Sequence, residues 1–252
     1  MSVVYERAAS SDRERLLTIW CLAFPDDTAQ DAQAFWDRFK HCGYVARVEG
    51  TVASMLFLIP AAVEYGETRI PVGYIYAGAT HPDHRQKGLY RGLIGYALRC
   101  AASDGMQAVF LRPADKSLEE SYRRMGFTVP MTRHEMTTAD GETHTAMTPL
   151  DAAAYRRERL SRLRCLNVPF VDWDEQVLAH VLTWCDAVSI NGAVGLSDRA
   201  QKLFPEWLGD GGYCAGSLVY TVGTTQTVGL LYPLDRSQFA AMPPIYMGYG
   251  ME

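Results

Sequence analysis

The spacing of apolar residues changes period along the chain, and the changes outline its elements. Leu16, Leu17, Trp20 and Phe24 recur at helical spacing behind Ser11 and Asp12, which have the chemistry of helix caps, and Pro25-Asp26-Asp27 ends the segment. A second helix is expected over Ala29–His41, with Phe35, Trp36 and Phe39 inward. The period then becomes that of strands. Tyr44–Val48 and Val52–Val63 are joined by a tight turn at Glu49-Gly50, and Arg69–Thr80 follows Glu64-Tyr65-Gly66-Glu67. A loop, His81–Lys87, leads into a helix from about Gly88 to Ala102, on which Leu89, Leu93, Ala97 and Cys100 form a stripe. Ala108–Leu111 reads as a short buried strand, Leu118–Met125 as a short helix stopped by Gly126, and Phe127–Pro130 as the start of another strand.

Beyond Thr138 the character shifts. Thr137–Thr148 is polar and reads as a linker or surface hairpin. Asp151–Arg164 and Trp173–Cys185 predict helices, the second with Trp173, Val177, Val181 and Trp184 on one face. Val188–Leu196 predicts a strand, Arg199–Leu208 a short helix, and Ala215–Leu231 a strand pair turning at Gly223-Thr224-Thr225. The sum is an α/β chain built on a mixed sheet. Its divisions are a first domain over residues 1–138 and a smaller α+β domain over 139–252, whose helices-then-strands order echoes the first half.

Composition narrows this little. At 252 residues, 48% hydrophobic and 21% charged, the chain can bury a substantial core as one large or two small domains. The longest apolar runs are too short to span a bilayer, and Met1–Ser11 has no apolar signal core, so no membrane association is expected and the cytoplasm is the expected compartment. The six cysteines are scattered without a Cys-x-x-Cys pair, which favours neither a disulfide framework nor a metal site. A net charge of −5 argues against a general nucleic-acid binder. One local exception is Arg156, Arg157, Arg159, Arg162 and Arg164 on a single predicted helix, read as a solvated face or as an anion-binding patch for nucleic acid or an acidic partner.

The stretch with the most chemistry is Gly78-Ala79-Thr80-His81-Pro82-Asp83-His84-Arg85-Gln86-Lys87-Gly88-Leu89-Tyr90-Arg91-Gly92. A strand delivers the chain to a basic loop and a helix starts directly from it. Free backbone N–H groups at a helix start carry partial positive charge and bind phosphate oxygens. Gly88 removes a Cβ where backbone must approach a ligand, while Arg85 and Lys87 add charge beside it. Gly92 and Gly95 are expected to let the helix lie close to the sheet. Neither the Walker loop nor the dinucleotide-binding glycine pattern is present. A diphosphate-binding turn and a plain strand–loop–helix connection both fit these residues.

Thr80–Gly92 resembles the acetyl-CoA pyrophosphate loop of the GCN5-related N-acetyltransferases (GNAT). Thr80-His81-Pro82 and Arg85-Gln86-Lys87-Gly88-Leu89-Tyr90 stand where that family carries Val-x-Pro and Arg/Gln-x-x-Gly-x-Gly/Ala. Downstream, Tyr122-Arg123-Arg124-Met125-Gly126-Phe127 resembles the family's Tyr-x-x-x-Gly-Phe helix end. The resemblance covers roughly residues 1–138. Tyr90 departs from it, standing where Gly or Ala is usual; a bulky residue there is also seen in enhanced-intracellular-survival-type acetyltransferases.

The resemblance implies a GNAT fold in the first domain and acetyl-CoA as co-substrate, with no metal. Gly78, Ala79 and Thr80 would pair with the pantetheine arm, and Arg85, Gln86, Lys87, Gly88, Leu89 and Tyr90 would hold the diphosphate. An amine would attack the thioester directly in a ternary complex. Backbone N–H groups near Ala79–His81 would meet the oxyanion, and Tyr122 would protonate the leaving thiolate. For the base, His81 has the suitable solution pKa, with Glu64, Glu67, His84 or a water relay as alternatives. Tyr74 and Tyr76 would line the acceptor side or simply pack the sheet. The acceptor is a small-molecule or peptide amine of unspecified kind. The rival reading is a non-catalytic acyl-CoA-binding, regulatory or interaction module, and homo-oligomerisation stays open.

Overall fold

The computed structural model of the chain describes residues 2–138, 147–190, 192–198, 203–209, 214–215, 218–240 and 242–248. In chain order the elements are β1 (Val3–Arg7), α1 (Arg13–Ala23), α2 (Ala29–Phe39), β2 (Gly43–Val48), β3 (Thr51–Tyr65), β4 (Thr68–Thr80), α3 (Leu89–Ser103), β5 (Ala108–Leu111), α4 (Lys116–Arg124), β6 (Val129–Thr138) and β7 (Thr148–Leu150). They continue with α5 (Ala152–Leu166), β8 (Phe170–Asp172), α6 (Glu175–Val181), β9 (Cys185–Ile190), β10 (Ala193–Asp198), β11 (Leu203–Leu208), β12 (Cys214–Ala215), β13 (Leu218–Pro233), α7 (Arg236–Phe239) and β14 (Ile245–Tyr246). Two compact units emerge. One comprises residues 1–60, 71–112 and 232–236, the other residues 61–70, 113–231 and 237–252. Most of the expected linker Thr137–Thr148 lies outside the described residues.

In the first unit the strands run in spatial order β1-β2-β3-β4-β5. The β2–β3 hairpin turns where expected, because Glu49 and Gly50 both adopt left-handed conformations, with φ of 51° and 84°. β4 and β5 are parallel, and α3 between them supplies the crossover. On α3 the buried residues are Leu89, Leu93, Ile94, Ala97 and Ala101. Cys100, expected in the stripe, is only partly buried, since Ala101 keeps the i+4 register from Leu89. Asp12 precedes α1 but makes no side-chain cap there. Its carboxylate instead accepts from Ala9 N at 2.8 Å and from Arg47 Nη2 at 2.7 Å. The strand β1 went unforeseen because five residues carry little periodicity; its pairing with β2, from Val3↔Val48 to Arg7↔Tyr44, holds it.

In the second unit β6 pairs antiparallel with β13 and β11, and β10 links β11 to β9. The C-terminal β14 lies parallel to both β6 and β8. Four expectations change here. The strand pair expected over Ala215–Leu231 with a turn at Gly223-Thr224-Thr225 is instead one strand over Leu218–Pro233, whose pairing with β6 shifts register between Val222 and Thr225. Val188–Leu196 is not one strand: β9 ends at Ile190, Gly192 is left-handed at φ 83°, and β10 starts at Ala193 and pairs back on β9; Asn-Gly in the sequence is the strongest short hairpin signal in this half. Leu203–Leu208 is a strand, not a helix; it pairs with β10, and Pro205 is incompatible with a helix interior. The helix expected over Trp173–Cys185 spans only Glu175–Val181, because Asp174 caps it by accepting from Val177 N at 2.8 Å.

Burial raises the pKa of the Tyr44 phenol to about 12, and it also raises Tyr155 and Tyr246 well above the usual tyrosine value. The unfolded chain therefore releases these protons first. Folding stability is expected to hold below about pH 10 and to fall as pH rises from there toward 12. Urea midpoints across that range check this; a flat profile would show that these phenols titrate freely.

Candidate active site

β5 pairs with β4 only from Val72↔Ala108 to Ile75↔Leu111, whereas β4 continues to Thr80. Residues 76–80 thus run past the end of β5, and the strand changes course within them: Ala77 adopts φ 48°, a left-handed conformation costly for a residue with a Cβ. On the other side this stretch is tied to β3. His81 N donates to Ala53 O at 2.9 Å, and Ser54 Oγ donates to Ala79 O at 2.8 Å. The His81 amide, one of the groups expected to meet an oxyanion, is therefore already used.

Pro82–His84 forms a single 3-10 turn after the strand. Gln86 (φ 61°) and Gly88 (φ 73°) are both left-handed, so the loop folds back on itself just before α3. Such a conformation turns successive backbone N–H groups toward one side, a concavity suited to anions. Gly88 is the N-cap of α3 and offers no side-chain cap, and a Cβ built on it would meet nothing within 4 Å. The helix start is therefore open on the side a ligand would approach, with the first amides lacking intrahelical acceptors. Arg85 Nε donates to Thr80 O at 3.2 Å and Lys87 Nζ to Asp83 O at 2.8 Å, bonds that hold both cations against the loop. Arg85, Gln86, Lys87 and Gly88 are exposed, Leu89 is buried beneath the helix, and Tyr90 is partly buried. The groups present fit an acyl-CoA diphosphate.

A family model described as an acetyltransferase (GNAT) domain matches residues 4–129, half of the chain. The chain belongs to the GNAT acetyltransferase family. Among solved structures, a GCN5-related N-acetyltransferase from Kribbella flavida superposes with a TM-score of 0.69 at 14% identity, covering 93% of this chain and 71% of its own. One from Anabaena variabilis gives 0.68 at 13% identity, covering 93% and 73%. Eis1 from Mycobacterium abscessus gives 0.67 at 15% identity, covering 96% and 76%. At these identities the likeness is one of fold. No curated protein matches the chain in sequence.

Within this GNAT frame, Gly78, Ala79, Thr80 and the 85–90 loop come together in the first unit, along with His81. His81 lies largely buried on its own turn, its Nδ1 accepting from Asp83 N at 3.4 Å with Asp83 Oδ2 at 3.6 Å. Tyr122 belongs to the second unit, on α4, which Asp115 caps through Leu118 N at 2.8 Å. Its ring is buried and meets Phe127 edge-on at 5.9 Å, while its carbonyl accepts from Phe127 N at 3.1 Å. Tyr74 is buried and stacks on Phe110 at 5.0 Å, and Tyr76 packs against Phe35 and Trp20 at 5.1 and 6.0 Å. Both pack the sheet.

Of the remaining base candidates, His84 is partly buried with its ring 6.0 Å from that of His81, and Glu64, Glu67 and the arginine helix also find their places. Glu64 receives Arg164 Nε and Nη2 at 3.0 and 2.9 Å, with Arg69 Nε at 3.8 Å, so both its oxygens are committed to cations; Glu67 sits exposed in the turn between β3 and β4. The helix α5 is the expected solvated face only in part, with Arg157 and Arg164 exposed. Arg159 is fully buried and paired with Glu206, Arg156 binds Asp172 at 2.7 Å, and Arg164 binds Glu64. Four of the five guanidinium groups thus have an acid partner, Arg157 meeting Glu158 at 3.6 Å on the surface, which leaves little charge for an anion-binding patch. Among the described residues no group of three or more His, Cys, Asp or Glu is placed to hold a metal, and no helix is long and apolar enough to cross a membrane.

Proposed function

We propose that this chain transfers an acetyl group from acetyl-CoA to an amine, with residues 1–138 as the catalytic GNAT domain and residues 139–252 as a second, GNAT-like domain. The observation that carries the reading is the open start of α3: an uncapped helix entered through Gly88, one short basic loop after a strand whose last residues outrun their neighbour. Gly78, Ala79 and Thr80 would bond the pantetheine arm as an added strand. The loop amides from Gln86 to Tyr90, with Arg85 and Lys87, would hold the diphosphate. A neutral amine attacks the thioester carbonyl, the C–S bond breaks, and the thiolate takes a proton from Tyr122. With the His81 amide bonded to Ala53, the oxyanion falls to amides earlier in the 77–80 stretch. With Glu64 held by Arg164, His81, His84, Glu67 or a bound water is left to accept the amine proton. The acceptor is a small-molecule or peptide amine, and the setting is cytoplasmic.

Isothermal titration with acetyl-CoA tests this. Wild type should bind, Gly88→Ala should weaken binding modestly through left-handed strain, and Gly88→Glu should weaken it at least about tenfold further by placing a negative charge at the diphosphate. No binding by the wild type sinks the acetyl-CoA reading. Binding without turnover across a panel of polyamines, aminoglycosides, amino acids and peptides favours a non-catalytic acyl-CoA module instead.

A further inference from the structure

Resting on the acetyl-CoA reading above, we infer that Tyr90 is a positioning residue whose ring, seated on Gly78, sets the spacing between the start of α3 and β4 along the acyl-CoA path. A Cβ built on Gly78 would lie 2.5 Å from Tyr90 Cζ and 2.7 Å from Cε2, with the hydroxyl nearer still. No side chain fits there while the tyrosine stays in place. The reason for glycine is therefore space and not backbone freedom: Gly78 is not among the left-handed residues, and the left-handed position beside it is filled by Ala77.

Tyr90 is the second residue of α3, and side chains in a first turn lean back toward the helix start. That lean brings the ring onto β4 at Gly78, in the 76–80 stretch beyond the end of β5. A second contact of the same kind lies half a turn further along α3. A Cβ on Gly92 would lie 2.5 Å from Cζ of Tyr5, again at a glycine without positive φ. By contrast Gly95, expected to serve close packing, would meet only Arg99 Nη1, at 3.8 Å. The helix is thus keyed to the sheet at two tyrosine–glycine seats. The first lies between the loop that would take the diphosphate and the strand that would take the pantetheine arm. The residue that departs from the family's small-residue pattern is the one that fills this seat, so its ring replaces a close helix–strand contact with a spacer of fixed thickness.

The prediction is coupling. Tyr90→Ala should raise the acetyl-CoA Kd about tenfold while leaving kcat at saturating acetyl-CoA within about threefold, and Tyr90→Phe, which keeps the ring, should stay near wild type. Gly78→Ala should weaken binding by a similar factor beside Tyr90, but by less than about threefold in the Tyr90→Ala background. Should Gly78→Ala alone fail to fold, the double variant should restore folding. Equal effects of Gly78→Ala in both backgrounds, a double variant that also fails to fold, or a Tyr90→Ala Kd equal to wild type would each overturn the inference while leaving the acetyl-CoA reading intact. No binding by the wild type overturns both.

Discussion

Replacing Glu206 by Ala is expected to cost about 3–5 kcal/mol of folding stability, because it strands a guanidinium in the interior. Arg159 and Glu206 have side-chain exposures of 1% and 0% and meet through Nε at 3.0 Å to both carboxylate oxygens. Tyr155 Oη donates to Glu206 Oε2 at 2.8 Å, and Arg159 Nη1 donates to Val171 O at 2.7 Å. Burial alone lowers the pKa of Arg159, but Glu206 outweighs it and holds the group above its ordinary value, so Arg159 stays charged at every accessible pH. The C-terminal strand β14 closes over this pair. Trp173 Nε1 donates to Met247 O at 3.1 Å, and a Cβ on left-handed Gly248 would fall 2.6 Å from Arg159 Nη2. The expected loss is a large share of the ~5–15 kcal/mol that a domain has. Replacing both partners, as Arg159→Met with Glu206→Leu, should recover most of it, since no charge is then left buried. Urea unfolding followed by circular dichroism reads both variants. A loss under about 1 kcal/mol in Glu206→Ala would mean that water reaches the pair.

That ion pair also shows where sequence reading stops. The five arginines of α5 were legible as a charge run, but what each one faces is set by partners 47 residues away for Arg159 and 100 for Arg164. A signal was present: Arg159 falls four residues after Tyr155 and four before Leu163, both buried, so it lies on the apolar stripe of its helix. An arginine on such a stripe needs a buried acid. The loop before α3 was readable for the opposite reason. Its features are local: a strand end, a left-handed glycine and a helix start follow one another within a few residues, so no distant partner is needed to define them. The Asn-Gly dipeptide before β10 and Pro205 are equally local signals, though apolar runs on either side of each mask them. Tyr90 lies between these cases. Its departure from the family's small residue was visible in the sequence, but its seat on Gly78 depends on how the helix lies on the strand.

Tyr122→Phe is expected to lower kcat by about a hundredfold while leaving acetyl-CoA affinity and stability nearly unchanged. The ring of Tyr122 is buried at 8% exposure and packs on Phe127, and the turn it belongs to is closed through backbone, by Met125 N and Phe127 N donating to its carbonyl at 2.9 and 3.1 Å. Phenylalanine keeps the ring and the backbone bonds and loses only the hydroxyl. If Tyr122 were a packing residue, the change would cost on the order of one hydrogen bond, about 1 kcal/mol, and turnover would barely move. If its hydroxyl protonates the departing thiolate, the loss falls on the transition state, so kcat drops and the Kd for acetyl-CoA does not. Thiol release with acetyl-CoA and the best amine from the acceptor panel gives kcat, and titration gives Kd. A drop in kcat alone assigns the proton donor; equal kcat in both proteins makes Tyr122 part of the core and moves the search for the donor to another group.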